Sequence, residues 1–156
     1  MNKPNSRRNF LVAAGGLATG IALPATVAAQ MPGAPAATLE AIRRVVGTAS
    51  VNRGKVTLDL PALVDNGNAV SLAVRVDSPM SESEYVKAIH LFTEKNPQPD
   101  VASFHLGPRA GRASVATRIR LADSQAVIAI CEMSDGSFWS GSANTVVTLA
   151  ACLEEI

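Results

Sequence analysis

Apolar and polar residues alternate along much of this chain with the two-residue period of strands that have one buried face. Val70, Leu72, Val74 and Val76 are interleaved with Ser71, Ala73 and Arg75. Ala113, Val115, Thr117, Ile119 and Leu121 are interleaved with Arg112, Ser114, Ala116, Arg118 and Arg120, which predicts the cleanest strand, with a basic outer face. A shorter alternation over Lys55–Leu60 is ended by Pro61. Tyr85–Phe92 predicts a further strand, with helix as the alternative because Ser81-Glu82-Ser83-Glu84 precedes it. Val101–Leu106 is short and β-like. Val127–Met133 and Asn144–Leu149 predict a hairpin about the Ser134-Asp135-Gly136-Ser137 turn. Turn signals separate these segments: Asn66-Gly67, Asp77-Ser78-Pro79, Asn96-Pro97-Gln98-Pro99-Asp100 and Gly107-Pro108-Arg109-Ala110-Gly111. One helix is predicted before them, with Leu39, Ile42, Val45 and Val46 at helical spacing, Thr38 as its cap and Gly47 as its stop. About seven strands in one domain of ordinary size favour a mainly β fold. The predicted architecture is an immunoglobulin-like antiparallel β-sandwich with a short N-terminal helix, spanning residues 38–149.

The first 29 residues read as an address. Ser6-Arg7-Arg8-Asn9-Phe10-Leu11 is a twin-arginine pattern, and an Ala/Gly-rich stretch from Leu11 to Val27 follows. Val27-Ala28-Ala29 offers a cleavage site. This predicts a bacterial twin-arginine signal peptide over 1–29, with Arg7 and Arg8 as its motif, and hence an exported protein. Glycines and Pro24 in a stretch of marginal length weaken the alternative of a membrane anchor, so no stable span is expected after cleavage. That export route generally carries folded proteins, often with a cofactor or a signal-less partner attached. Gln30–Ala37, rich in Pro, Ala and Gly, reads as a flexible lead-in.

Removing the signal changes the charge. The chain has 14 Lys+Arg and 13 Asp+Glu; Lys3, Arg7 and Arg8 leave with the signal and no acid does, so 11 basic residues face 13 acidic ones, a net of −2. That balance gives no support to a nucleic-acid partner.

Candidate chemistry is sparse. His90 and His105 lie on different strands, with no cysteine or carboxylate at ligand spacing to join them, so no metal and no cofactor is expected. The Gly107–Gly111 turn lacks the lysine and the helix of a phosphate cradle. The serines around Phe138-Trp139 form no nucleophile elbow. Arg112, Arg118 and Arg120 read either as a partner-binding stripe or as a solvated strand face. Two cysteines in an exported chain suggest a disulfide, but a hairpin centred on Asp135-Gly136 is expected to set Cys131 across from residues 143–145. Cys152 is then on the order of 25 Å away at ~3.3 Å per residue, whereas a bridge needs Cα atoms within about 7 Å. Cys131, in phase with Val127 and Ala129, reads as a small buried hydrophobe. Cys152, in the tail Ala150-Ala151-Cys152-Leu153-Glu154-Glu155-Ile156, is a solitary thiol on a short arm.

Several runs carry a resemblance. Thr57-Leu58-Asp59-Leu60-Pro61, Asp65-Asn66-Gly67-Asn68 and Val76-Asp77-Ser78-Pro79-Met80 are among them. Val86-Lys87-Ala88-Ile89-His90, Asn96-Pro97-Gln98-Pro99, Arg118-Ile119-Arg120-Leu121-Ala122 and Met133-Ser134-Asp135-Gly136 continue it. With the Ser-Arg-Arg-Asn-Phe-Leu signal, these resemble the SoxY family, the carrier subunits of bacterial thiosulfate oxidation. The resemblance implies the sandwich with an N-terminal helix, a periplasmic location, and a heterodimer with a SoxZ-like subunit. It also implies a sulfur intermediate held covalently on the arm cysteine, here Cys152, and presented to sulfur-oxidation enzymes by a chain that is itself no enzyme. The family's Gly-Gly-Cys-Gly-Gly arm is replaced by Ala150, Ala151, Cys152, Leu153 and Glu154. This is similar to a SoxY-related group with an Ala-Ala-Cys-Ile-Glu type ending. Alanine lacks glycine's φ > 0 freedom, and the acids beside Cys152 should raise its thiol pKa and disfavour an anionic adduct. The alternatives are a partner-binding structural subunit that carries no thiosulfate and a redox enzyme using a Cys131–Cys152 pair.

Overall fold

The structure, a computed structural model, describes residues 33–151. The elements in order are helix α1 (Ala36–Val46), strands β1 (Val51–Arg53), β2 (Val56–Asp59), β3 (Leu63–Val64), β4 (Val70–Val76), β5 (Val86–Thr93) and β6 (Asp100–His105). A 3₁₀ turn (Pro108–Ala110) and strands β7 (Ser114–Ile119), β8 (Gln125–Met133) and β9 (Phe138–Val147) follow. The strict alternations become the smaller sheet, ordered β2-β4-β7 and antiparallel throughout. Val70, Leu72, Val74 and Val76 point inward from β4 while Ser71 and Arg75 face out.

The larger sheet is ordered β1-β9-β8-β5-β6, with β3 also pairing β9. Its central strands are covered on both faces. Val127, Ala129, Cys131 and Met133 of β8 join the core between the sheets, whereas Ile128 and Ile130 pack in a second cluster with Ala41, Ile42 and Val46 of α1. Each fully buried aliphatic side chain contributes roughly 1.5–3 kcal/mol, and burial on two faces demands near-continuous apolar runs rather than alternation. That is why Tyr85–Phe92 read ambiguously; it is strand β5, with irregularities at Val86/Ala88 and Leu91/Phe92.

Several boundaries differ from the sequence reading. Thr38 does not cap α1, which starts at Ala36 after Pro35 with no side-chain cap. Thr38 is buried instead, and its hydroxyl donates to the Thr93 carbonyl at 3.1 Å, fastening the helix to β5. Gly47 does end the helix. β9 begins at Phe138 rather than Asn144. Two short strands, β1 and β3, pair with it in parallel, so the described residues hold nine strands in place of about seven and the sandwich is not wholly antiparallel.

Candidate functional site: the root of the C-terminal arm

β9 leads the chain toward Cys152, and the residues that end it and follow it are tied on several sides. Val146 N–H donates to the Ala62 carbonyl (2.9 Å) and Thr148 N–H to that of Val64 (3.0 Å), while the Thr148 hydroxyl donates to the Asp65 carbonyl (3.0 Å). A backbone clamp follows. Gly67 N–H donates to the Leu149 carbonyl at 2.8 Å, Leu121 N–H to that of Gly67 at 2.9 Å, and Ala151 N–H to that of Leu121 at 3.0 Å. Ala151 and Leu121 are buried completely.

Gly67 is a glycine because of this clamp. A Cβ there would lie 2.4 Å from the Leu121 carbonyl oxygen and 2.9 Å from the Ala151 nitrogen. The Asn66-Gly67 signal therefore marks a close backbone approach as well as a bend. The exposed large apolar residues among the described ones are Leu63, Val146 and Leu149, all beside this root. Leu63 and Val146 are register partners across β3 and β9.

Of the arm residues, Ala150 and Ala151 fall at the root, Ala150 half-buried. Cys152, Leu153 and Glu154 lie outside the described residues, as do Arg7 and Arg8 of the signal motif. Cys131 pairs with Trp139, not with residues 143–145, because the hairpin turn is tight and Met133 N–H already donates to the Ser137 carbonyl at 2.9 Å. That register moves Cys152 still further along the chain from Cys131's partner. Cys131 is a free, fully buried thiol whose Sγ donates to Met133 Sδ at 3.7 Å. Burial pushes its pKa up to about 12, so it is held as the inert thiol.

The two histidines come together on the outer face of the larger sheet, edge to face with ring centroids 6.3 Å apart. His90 Nδ1 lies 2.7 Å from the Ser103 hydroxyl and its Nε2 is buried without a partner. Burial first, and His105 second, lower the His90 pKa. Among the described residues no three His, Cys, Asp or Glu side chains are grouped to hold a metal ion. Lys87 pairs with Glu132 nearby, which raises the lysine's pKa through that hydrogen bond. The Gly107–Gly111 segment is a 3₁₀ turn. Arg112, Arg118 and Arg120 share the exposed face of β7 and its flanks, and Arg75 of β4 joins them.

The fold is shared with solved structures. The sulfur carrier protein SoxY from Chlorobium limicola f thiosulfatophilum superposes with a TM-score of 0.60 at 24% identity, over 70% of this chain and 94% of that one. A superoxide reductase (neelaredoxin) from Ignicoccus hospitalis superposes with a TM-score of 0.54 at 16% identity, over 60% of this chain and 80% of its own. The superoxide reductase from Nanoarchaeum equitans gives 0.52 at 11%, over 61% and 99%. At these identities the likeness is one of fold. No curated protein sequence matches the chain. The sequence pattern of the family described as sulfur oxidation protein SoxY matches residues 42–152, from inside α1 through the clamped root to Cys152. With a match over most of its length, the chain belongs to the SoxY family.

Proposed function

We propose that this chain is a periplasmic carrier subunit of sulfur oxidation. In this reading Cys152 binds a sulfur intermediate covalently and presents it to partner enzymes, while the chain catalyses nothing itself. Membership of the family supports a sulfur-oxidation carrier subunit and implies a SoxYZ complex. The observation that carries the finer reading is that the family match ends on Cys152, next in sequence to a root held by backbone hydrogen bonds. Cys131, the other thiol, is sealed in the core and unsuited to the role. A SoxZ-like subunit is the expected partner, and the twin-arginine pattern is the expected route of export for both. Among the described residues no helix is long and apolar enough to cross a membrane.

A second reading has its own observation. Ala151 is buried and tied, so only one peptide bond separates the fixed root from Cys152. A subunit that binds its partner through the tail and carries no thiosulfate would be built the same way. Cys152→Ser separates the two. In cells oxidising reduced sulfur compounds, the carrier reading expects the serine variant to abolish oxidation while the chain still purifies with its partner subunit. Undiminished oxidation by that variant, with loss only on deletion of residues 150–156, would establish the structural subunit instead.

A further inference from the structure

The outer edge of the smaller sheet is open. β7 pairs with β4 alone, in unbroken register from Ser114 opposite Arg75 to Ile119 opposite Val70. Val76 N–H donates to the Ala113 carbonyl at 2.9 Å, which marks the odd-numbered residues as those bonded to β4. By the alternation of an antiparallel ladder, the N–H and C=O groups of Ser114, Ala116 and Arg118 point to the other side. Among the described residues no strand pairs with that side and no loop or side chain bonds to it. The edge closes just beyond, where Asn96 Nδ2 donates to the Arg120 carbonyl and Asn96 Oδ1 accepts the Ala122 N–H, both at 2.9 Å. Exposed edges are ordinarily blunted by proline, a bulge or charged side chains, lysine above all. Ser114–Ile119 has no proline, no bulge and no lysine, and its one charge is Arg118, which would repel a basic strand and attract an acidic one.

The charges on this face are also unmatched. Lys55, Lys87 and Lys95, the lysines among the described residues, are all ion-paired, with Glu84, Glu132 and Asp123. Arg75, Arg112, Arg118 and Arg120 are exposed and make no ion pair within the described residues. Asp59 and Asp77 share the face, opposite Ala73 and beside Arg75, without reaching ion-pair distance of any of the four. Small residues lie between: Ala73, Ala116 and Ser71 floor an open hollow of about 630 Å³ that Arg118 borders.

We propose that β7 accepts an extended, acidic segment of another protein as an added strand. The main-chain groups of Ser114, Ala116 and Arg118 would supply the ladder. Arg112 and Arg118, two positions beyond each end of the Ser114–Ala116 pair, would meet carboxylates at alternate positions of the incoming strand. Strand addition of this kind draws affinity from the backbone and selectivity from alternate side chains. This inference does not depend on Cys152: a chain that carries no cargo would have the same edge.

The probe is a short synthetic peptide alternating glutamate with valine and threonine, and a twin with lysine in place of glutamate. Both are mixed with the full chain while backbone amide exchange is followed residue by residue. The acidic peptide is expected to protect the Ser114, Ala116 and Arg118 amides and the lysine twin to leave them unchanged. Arg112→Glu with Arg118→Glu should weaken binding roughly tenfold or more. Ala116→Pro removes a donor from the open side, leaves the bonds to β4, and should abolish the protection. If the proline variant fails to fold, the exposed arginine variants carry the same decision. No protection at millimolar acidic peptide, equal protection by the lysine twin, or undiminished binding by the arginine variants would overturn the proposal.

Discussion

Replacing Gly67 by alanine would place a methyl group where the fold has backbone. The added Cβ would lie 2.4 Å from the Leu121 carbonyl oxygen, 2.9 Å from the Ala151 nitrogen and 3.1 Å from Val147 Cγ1. Two of these neighbours are main-chain atoms of the clamp, so no flexible side chain can swing aside to make room. Release of the tail relieves only the Ala151 contact, so the Gly67 turn and the fully buried Leu121 must also part. Overpacking of this kind costs about 1–3 kcal/mol, and each clamp hydrogen bond contributes about 0.5–1.5 kcal/mol net. Both of the tail's clamp bonds go to these two residues, Gly67 N–H to Leu149 and Ala151 N–H to Leu121, so parting them frees the tail first. Local opening thereby limits the damage to the rest of the domain. We therefore expect Gly67→Ala to destabilise the clamp by roughly 2–4 kcal/mol, which is about a 30- to 700-fold faster exchange of the Ala151 amide. Global urea unfolding should fall by less. Amide exchange read by NMR, with urea melts alongside, measures both. An Ala151 amide as protected as in the wild type, on an equally stable domain, would refute the clamp as the reason for this glycine.

Gly141→Ala should destabilise the domain itself by about 1–3 kcal/mol, since its Cβ would meet the Val56 carbonyl oxygen at 2.4 Å between the two sheets; an unchanged urea midpoint would contradict this. Cys131, with its pKa pushed up to about 12 by burial, should resist alkylation at neutral pH until the domain unfolds. Labelling of the native chain's Cys131 at the rate of a free thiol would show that the core is not closed there. His90 is held below its ordinary value of 6.5 in the folded state, chiefly by burial. The unfolded chain then binds that proton more tightly, so stability is full above about pH 6.5 and declines as pH falls through the folded value. His90→Gln should remove that component from the pH dependence of the urea midpoint, and a midpoint curve identical to wild type would exclude it.

How legible the fold was depended on how many faces each strand buries. β4 and β7, solvated on one side, announced themselves by period two. β5 and β8, buried on both, showed only as apolar runs, and β5 kept helix open as an alternative. β1 and β3 have three and two residues and draw their meaning from β9, a partner distant in sequence. The first half of β9 was missed because Phe138-Trp139-Ser140-Gly141-Ser142 does not look like a strand; its glycine is there for the approach of Val56, which only the packing reveals. At the site, the tail cysteine was legible as an isolated thiol. The clamp was not, because it is built from the backbone of Gly67, Leu121, Leu149 and Ala151, and main-chain hydrogen bonds across long separations leave no side-chain signature. The Asn66-Gly67 pair did signal that something happens there. The wrong register for Cys131 arose from treating the hairpin loop as longer than its tight Met133–Ser137 closure.

The central claim is that Cys152 carries a sulfur intermediate. Its most direct test is the intact mass of the chain purified without reductant from cells metabolising reduced sulfur compounds. The carrier reading predicts a sulfur-containing mass increment that reductant removes and that Cys152→Ser never shows. An unmodified chain, with Cys152 open to alkylation in those same cells, would contradict it.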